Sequence, residues 1–425
     1  MNAVELMRAS FDAAVAAADP LRIVAAHLPH IPRGRVVVVG AGKAAASMAL
    51  AVERAWPEVA LDGVVITRYA HGAPTARIRV VEAGHPVPDA AGEAATREIL
   101  QLTSQLQPGD LLLALISGGG SSLLSLPVPA VSMADLKSVT RMLLASGAPI
   151  GEMNVVRKHL SQIAGGRLAG AAVARGARVV ALIISDVTGD APSDIASGPC
   201  APDPSTFADA VAVLSRWNVA PPRAVAVWLQ RGAHGDVAET PKRGDPLFAS
   251  VQNRVIATAH RSLEAAAEVL HSAGINAVLL GDTVTGEARE VAKVYAALVR
   301  EIRAYNKPFA PPVALISGGE CTVTLPPGTK GRGGRCTEFL LSLAVELNGM
   351  AGVHALACDT DGIDGSEGNA GAWLAPESIN RAGGVRALAV LDIHDAHGFF
   401  DAADSLIVTG PTRTNVNDFR VILIQ

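Results

Sequence analysis

Short, almost wholly apolar runs punctuate this chain, each ending in a glycine or an acidic residue and giving way to an amphipathic, alanine-rich stretch. Few folds accommodate that cycle. The runs match buried strands, and the stretches between them match covering helices, so the rhythm predicts βα units and a mainly parallel sheet. Strands are expected at residues 35–39, 63–67, 78–82, 111–116 and 178–184, then at 277–280, 313–316, 354–358 and 405–408. Residues 4–28, with Leu6, Met7, Phe11 and Val15 at helical spacing, read as a packing helix interrupted at Pro20. Hydrophobic residues make up 49% of the chain and aromatics only 4%, so Ala, Val, Leu and Ile must fill the interior. At 425 residues the chain exceeds what one core usually supports. The stretch 221–246, rich in proline and charge but poor in apolar periodicity, places a boundary near residue 235.

A net charge of -4 and a pI near 6.3 supply no basic field for nucleic acid. Cys200, Cys321, Cys336 and Cys358 form no CxxC pair, so neither a zinc site nor a disulfide framework is indicated, and a reducing cytoplasm fits. The N-terminus carries Glu5 and Asp12 early and does not read as a secretion signal. Apolar runs such as 36–39 and 179–184 fall far short of the ~20 residues that cross a bilayer, so a soluble protein without membrane contact is expected.

Several segments at strand ends could carry chemistry. Gly40-Ala41-Gly42-Lys43 follows a strand and opens a helix, the setting of an anion site. The same spacing satisfies the relaxed dinucleotide fingerprint, yet the second strand ends in Thr67-Arg68 instead of an acid for a ribose, which leaves NADP as the minority reading. A lysine at a helix start opposes the helix dipole, so Lys43 is better explained by phosphate chemistry than by exposure alone. Ser117-Gly118-Gly119-Gly120-Ser121-Ser122 can form an anion nest, with a tight strand-to-helix connection as the alternative. GxxxxGK[ST] occurs nowhere, which excludes a P-loop kinase at the level of motif.

Asp186, Asp190 and Asp194 follow the strand at 178–184; one or two of them could hold Mg²⁺ and another take a hydroxyl proton, while helix caps would use the same residues. Asn154, Arg157, Lys158 and His159 suit a small carboxylate or a phosphate as well as they suit a solvated helix face. His85, between Gly84 and Pro86, reads as structural. In the second half, Glu320 follows a buried strand, Gly331 to Arg335 alternates glycine with arginine, and Asp359, Asp361 and Asp364 end another strand without the register of an EF-hand. The run Ala-Leu-Ile-Ser-Gly-Gly at 114–119 recurs at 314–319, too short a match to establish duplication.

Together these segments resemble the glycerate 2-kinase family whose C-terminal half is the MOFRL domain, a family also known under the name hydroxypyruvate reductase. The resemblance covers nearly the whole chain. It rests on Gly40 to Lys43, Gly84-His85-Pro86, Ser117 to Ser122, Asn154 to Ser161, Ser185 to Asp190, Ser197-Gly198-Pro199, Ser317 to Glu320, Gly333 to Arg335, Asp359 to Gly365, and Thr409 to Thr412 with Asn415 to Asp418. It implies an α/β fold of two domains: an N-terminal Rossmann-like parallel sheet with helices on both faces (1–235) and a C-terminal α/β MOFRL domain (236–425), with the active site in the cleft between them. It also implies ATP and Mg²⁺ as cofactors and D-glycerate as acceptor. On the combined reading, Lys43, Asp186 and Arg335 are catalytic, and Gly40, Gly42, Ser117, Gly118, Gly119, Gly120, Ser121, Ser122 and Glu320 meet the nucleotide. Asn154, Arg157, Lys158 and Arg335 meet the acceptor, and Asp190, Asp194, Asp359 and Asp361 are the metal candidates.

Two departures stand out. Cys336-Thr337 replaces Asn-Gln, so any amide contact there is absent, and Arg413 replaces glycine, which leaves a related hydroxy acid open as acceptor. An NADP-dependent hydroxypyruvate reductase and a non-catalytic sugar-acid sensor are the competing readings, and a homodimer remains open.

Overall fold

The computed structural model describes residues 1–383 and 386–425. Contacts divide the chain into two units, residues 20–256 and residues 1–19 with 257–425. The division expected at 235/236 falls inside the first unit, because the chain beyond the proline-rich stretch returns to that unit's sheet as one more strand.

In the unit of residues 20–256 the sheet has the order β3-β2-β1-β4-β5-β6. Its strands are β1 (Val36–Ala41), β2 (Leu61–Arg68), β3 (Ile78–Ala83), β4 (Leu111–Ile116), β5 (Arg178–Ile184) and β6 (Val251–Ala257). β1 to β5 pair in parallel, as the βα rhythm predicts. Every residue of β1 and β4 is buried, which requires cover on both faces. On one face Val37, Val39, Leu112 and Ala114 pack with Ile99 of the helix Ala90–Ser104 and with Leu168 and Ala172 of the helix Arg167–Val173. The sequence did not suggest β6, whose polar Gln252, Asn253 and Arg254 suit a sheet edge. A separate apolar cluster joins the helices Met133–Ala145, Ile150–His159, Phe207–Arg216 and Arg223–Ala233 through Val139, Val156, Phe207 and Leu229.

The other unit holds β7 (Asn276–Leu279), β8 (Val284–Glu287), β9 (Val313–Ser317), β10 (Gly319–Thr322), β11 (Val353–Asp359), β12 (Gly371–Leu374), β13 (Leu406–Ile407) and β14 (Asp418–Ile424). Its main sheet has the order β13-β12-β11-β14-β9-β7, and β8 pairs with β10 apart from it. This sheet is mixed. β14 runs antiparallel to both β11 and β9, β12 antiparallel to β11, and β7 parallel to β9. The parallel pattern seen for β1 to β5 is therefore not repeated in this sheet.

β14 alternates faces. Phe419, Val421 and Leu423 point to the helices Ala3–Ala17 and Ala259–Ser272, while Ile422 and Ile424 join the cluster of the helices Ala288–Tyr305 and Arg335–Leu347. The N-terminal helix is seated there by Phe11, whose ring lies 5.7 Å from that of Phe419, and by the Ser10 hydroxyl, which donates to the Ala266 carbonyl at 3.1 Å. The expected entry helix is thus two helices, Ala3–Ala17 and Pro20–His27, one belonging to each unit.

Candidate functional site

In residues 20–256 the strand order reverses between β1 and β4, where loops leaving adjacent strand ends open a crevice. The glycine turn follows β1 and the Ser117–Ser122 loop follows β4, so both lie at that point. They interlock: the Lys43 N–H donates to the Gly118 carbonyl at 2.9 Å, and the Ala44 N–H donates to Ser117 Oγ at 3.0 Å. Gly42 has φ +138°, and a Cβ there would stand 2.1 Å from Ser117 Oγ; a Cβ at Gly40 would stand 2.0 Å from the Leu115 carbonyl oxygen. Both glycines therefore serve the close packing of β1 and its turn against β4 and its loop. Lys43 remains half-buried at the crevice.

Within the second loop, the Ser122 hydroxyl donates to the Gly119 carbonyl at 3.1 Å, and Ser121 Oγ lies 2.9 Å from Ser197 Oγ. Gly120 packs so closely on Ala196 that a Cβ would stand 2.5 Å from the alanine methyl. Ala196, Ser197 and Gly198 are all left-handed, with φ of 51°, 58° and 59°. The acidic loop after β5 therefore turns back onto the glycine loop.

The carboxylates of that loop differ in their surroundings. Asp186 and Asp190 are half-buried, and Asp190 takes a left-handed φ of 54° that aspartate tolerates well. Asp194 pairs with Lys158 at 3.5 Å. Lys158, only 3% exposed, also pairs with the fully buried Asp203 at 3.4 Å. Burial favours the protonated acid at Asp203, but Lys158 and then the Ser205 hydroxyl and N–H hold its carboxyl below the usual range. Thr240 donates to its other oxygen at 3.0 Å, and burial depresses the neighbouring His159 imidazole, which meets the Phe207 ring edge-on with centroids 4.7 Å apart. Arg157 donates to Asn154 Oδ1 at 3.4 Å on the same helix. Sequence reasoning missed Asp203, which lies between two prolines and reads as ordinary loop.

In the other unit Arg335 opens its helix inside a ring of carboxylates. Its Nε donates to Asp418 at 2.6 Å, Nη2 to Asp359 at 2.6 Å and Nη1 to Glu320 at 2.9 Å. Burial opposes its charge, but Asp418, Asp359 and Glu320 outweigh it and hold the guanidinium protonated well above its ordinary value. Asp418 also pairs with the buried Arg420 at 2.6 Å. Asp361 accepts from the Ile363 N–H at 2.9 Å, an Asx-type turn, and its carbonyl accepts from Thr412.

Asp364 caps the Arg335 helix from a distance, accepting from the N–H groups of Cys336 and Thr337 at 2.9 and 2.8 Å and from the Thr337 hydroxyl at 2.7 Å. Burial raises its pKa. Thr337 thus faces inward, and Cys336 is fully buried with its thiol pushed well up by burial. Arg413 is exposed at a left-handed φ of 60°.

Among the described residues no three His, Cys, Asp or Glu side chains gather to hold a metal ion. A nucleotide-borne Mg²⁺ needs only one or two protein carboxylates beside phosphate oxygens and water. Of the metal candidates, Asp194 is paired with Lys158 and Asp359 with Arg335, while the half-buried Asp190 carboxylate fits that demand.

A parallel sheet whose glycine loops meet at the strand-order reversal, beside an acidic strand end, defines a ligand-binding α/β protein of the doubly wound class. Residues 6–230 match the family profile described as a domain of unknown function (DUF4147), and residues 313–418 match the MOFRL family. A protein of Agrobacterium vitis bearing a provisional hydroxypyruvate reductase name is 50% identical over 426 residues, covering 100% of this chain and 95% of its own. The glycerate 2-kinase of Pyrococcus horikoshii is 39% identical, covering 92% of this chain and 88% of its own. The crystal structure of the glycerate kinase of Thermotoga maritima superposes with a TM-score of 0.86 at 37% identity, covering 100% of this chain and 98% of that one. The chain belongs to this family of DUF4147–MOFRL proteins.

Proposed function

We propose that the chain is a glycerate 2-kinase, transferring the γ-phosphoryl of ATP to the 2-hydroxyl of D-glycerate in the cytoplasm. The observation that carries this reading is the interlock of the Lys43 turn with the Ser117–Ser122 loop at the reversal of strand order, beside the acidic loop of the adjacent strand. The relatives named glycerate kinase, similar along the whole chain, support it.

In this scheme the acceptor hydroxyl oxygen bonds to the γ-phosphorus, the bond from that phosphorus to the bridging oxygen breaks, and ADP departs with the electron pair. Asp186 takes the hydroxyl proton. The Lys43 ammonium lies against the charge that develops on the transferring group. Mg²⁺, held by Asp190 and the nucleotide, would neutralise phosphate charge. Asn154, Arg157 and Lys158 support the acceptor side, with Lys158 anchored by its buried partner Asp203. Within its own unit Arg335 is held by Asp418, Asp359 and Glu320.

The test is to incubate the purified protein with ATP, Mg²⁺ and D-glycerate and to assign the phosphorylated carbon by ³¹P and ¹³C NMR. Phosphate on carbon 2 is expected. Oxidation of NADPH by hydroxypyruvate without ATP, accompanied by no phosphoryl transfer, would establish the reductase reading in its place, which the name of the Agrobacterium relative favours.

A further inference from the structure

We propose that His85 is a binding residue of the Lys43 site: its imidazole Nε2 and the Lys43 ammonium together take one anionic oxygen of a ligand seated over Gly119. From sequence alone His85 reads as a structural residue between prolines, and its placement points elsewhere. It follows β3, which runs parallel to β2 and through it to β1, so the imidazole leaves the sheet at the same edge as the Lys43 turn and the Ser117–Ser122 loop. A Cβ built on Gly119, whose φ is +80°, would stand 2.8 Å from His85 Nε2, 2.9 Å from His85 Cδ2 and 3.6 Å from Lys43 Cγ. The ring and the lysine stem thus flank the same α-carbon, with the ring packed so closely on it that a methyl group there would collide with the imidazole. Both side chains are half-buried.

The loop that carries the ring is stiff. A Cβ at Gly84 would stand 2.5 Å from the Val87 carbonyl oxygen, so the turn is closed tightly on itself. Pro86 and Pro88 fix two backbone angles. Asp89 ends the loop by accepting from the Gly92 N–H at 3.0 Å and the Tyr69 hydroxyl at 2.7 Å. A side chain held in place by its own loop is suited to bind without reorganising.

The chemistry that such a pair recognises is a carboxylate or phosphate oxygen. Lysine supplies a point charge, and the imidazole supplies a directed donor that fixes which oxygen is bound. In the kinase reading, on which this proposal rests, that oxygen belongs either to the transferred phosphoryl group or to the acceptor's carboxylate.

Calorimetric titrations distinguish the two sources. Wild type, His85→Ala and His85→Gln are titrated with D-glycerate and, separately, with adenylyl imidodiphosphate and Mg²⁺, and each variant's thermal midpoint is recorded. His85→Ala is expected to weaken at least one ligand about tenfold with the midpoint unchanged, and His85→Gln, which keeps an N–H donor, to recover part of that loss. A loss confined to the nucleotide analogue assigns the phosphate, and one confined to D-glycerate assigns the carboxylate. Affinities within about twofold of wild type for both ligands would overturn the proposal. Should His85→Ala fail to fold, His85→Leu, which keeps bulk but has no donor, decides by the same criterion. A wild type that binds the analogue but never phosphorylates D-glycerate refutes the kinase reading and leaves the His85 comparison intact; one that binds neither ligand sinks both.

Discussion

Replacing Asp203 with asparagine tests whether Lys158 is held in place by a buried ion pair. The carboxylate has no solvent exposure, lies 3.4 Å from the Lys158 ammonium, and accepts from Ser205 N–H at 3.0 Å, Ser205 Oγ at 2.7 Å and Thr240 Oγ1 at 3.0 Å. Removing one partner of a buried pair typically costs about 3–5 kcal/mol, because the other charge is left uncompensated. Here Lys158 keeps Asp194 at 3.5 Å, but that side chain is 47% exposed, and such a partner recovers about 1 kcal/mol at most. Asparagine also preserves shape and one acceptor, so the expected loss is about 2–4 kcal/mol.

The assay is guanidinium unfolding followed by tryptophan fluorescence in a background where Trp56, Trp217 and Trp373 are replaced by Phe, which leaves Trp228, whose indole N–H donates to the His159 carbonyl at 2.9 Å beside this network. Because the chain has two units, the transition seen by Trp228 is the one to fit. Combined with Lys158→Met, the double variant should lose at least about 1 kcal/mol less than the sum of the single losses. The Asp203 carboxyl is held below its usual range, so the stability it supplies is present above the unfolded value of about 3.9 and is lost as pH falls through the folded-state value. The gap between wild type and Asp203→Asn should therefore close in acid. A cost under about 0.5 kcal/mol at pH 7, or strict additivity in the double variant, would refute the reasoning.

Other outcomes follow from the same geometry. Lys43→Met should lower kcat by about 10²-fold while the unfolding midpoint stays put, since it deletes a cation aimed at developing charge; near-normal turnover removes Lys43 from the mechanism. Asp190→Asn should raise the Mg²⁺ concentration for half-maximal rate, whereas Asp186→Asn should depress kcat at saturating Mg²⁺; unchanged kinetics in both would make the loop structural. Asp364→Ala strips the cap from the Arg335 helix and should cost about 1–2 kcal/mol, read as an earlier denaturant midpoint in circular dichroism. His159 is kept neutral by burial, so stability should begin to fall as pH drops below about 6.5, where the unfolded imidazole protonates, and His159→Gln should flatten that limb.

The sequence by itself determined the parts of this protein that are local. β1 to β5 sit within two residues of where the apolar runs place them, and β1 and β4, buried along their whole length, are apolar throughout because both of their faces are covered. The glycine turn at Gly42 and the loop at Gly119 were legible for a similar reason, since few residues other than glycine hold those backbone angles or admit such close neighbours. Tertiary structure decided the rest. β14 was hidden because Asp418 and Arg420 interrupt its apolar run, and the two charges lie buried at the centre of a sheet because they pair with each other while Asp418 also meets Arg335 and Arg420 the Gly318 carbonyl. Asp203 offered no signal, since its partners Lys158 and Thr240 lie 45 and 37 residues away. Thr337 looked like a lost ligand contact until Asp364 was seen to take its hydroxyl, and His85 looked like loop scaffolding until its ring was found over Gly119. Spacing along a chain records which backbone shapes a segment can adopt; which distant charge neutralises another, and which side chain faces a glycine across a strand end, is fixed only when the strands take their order.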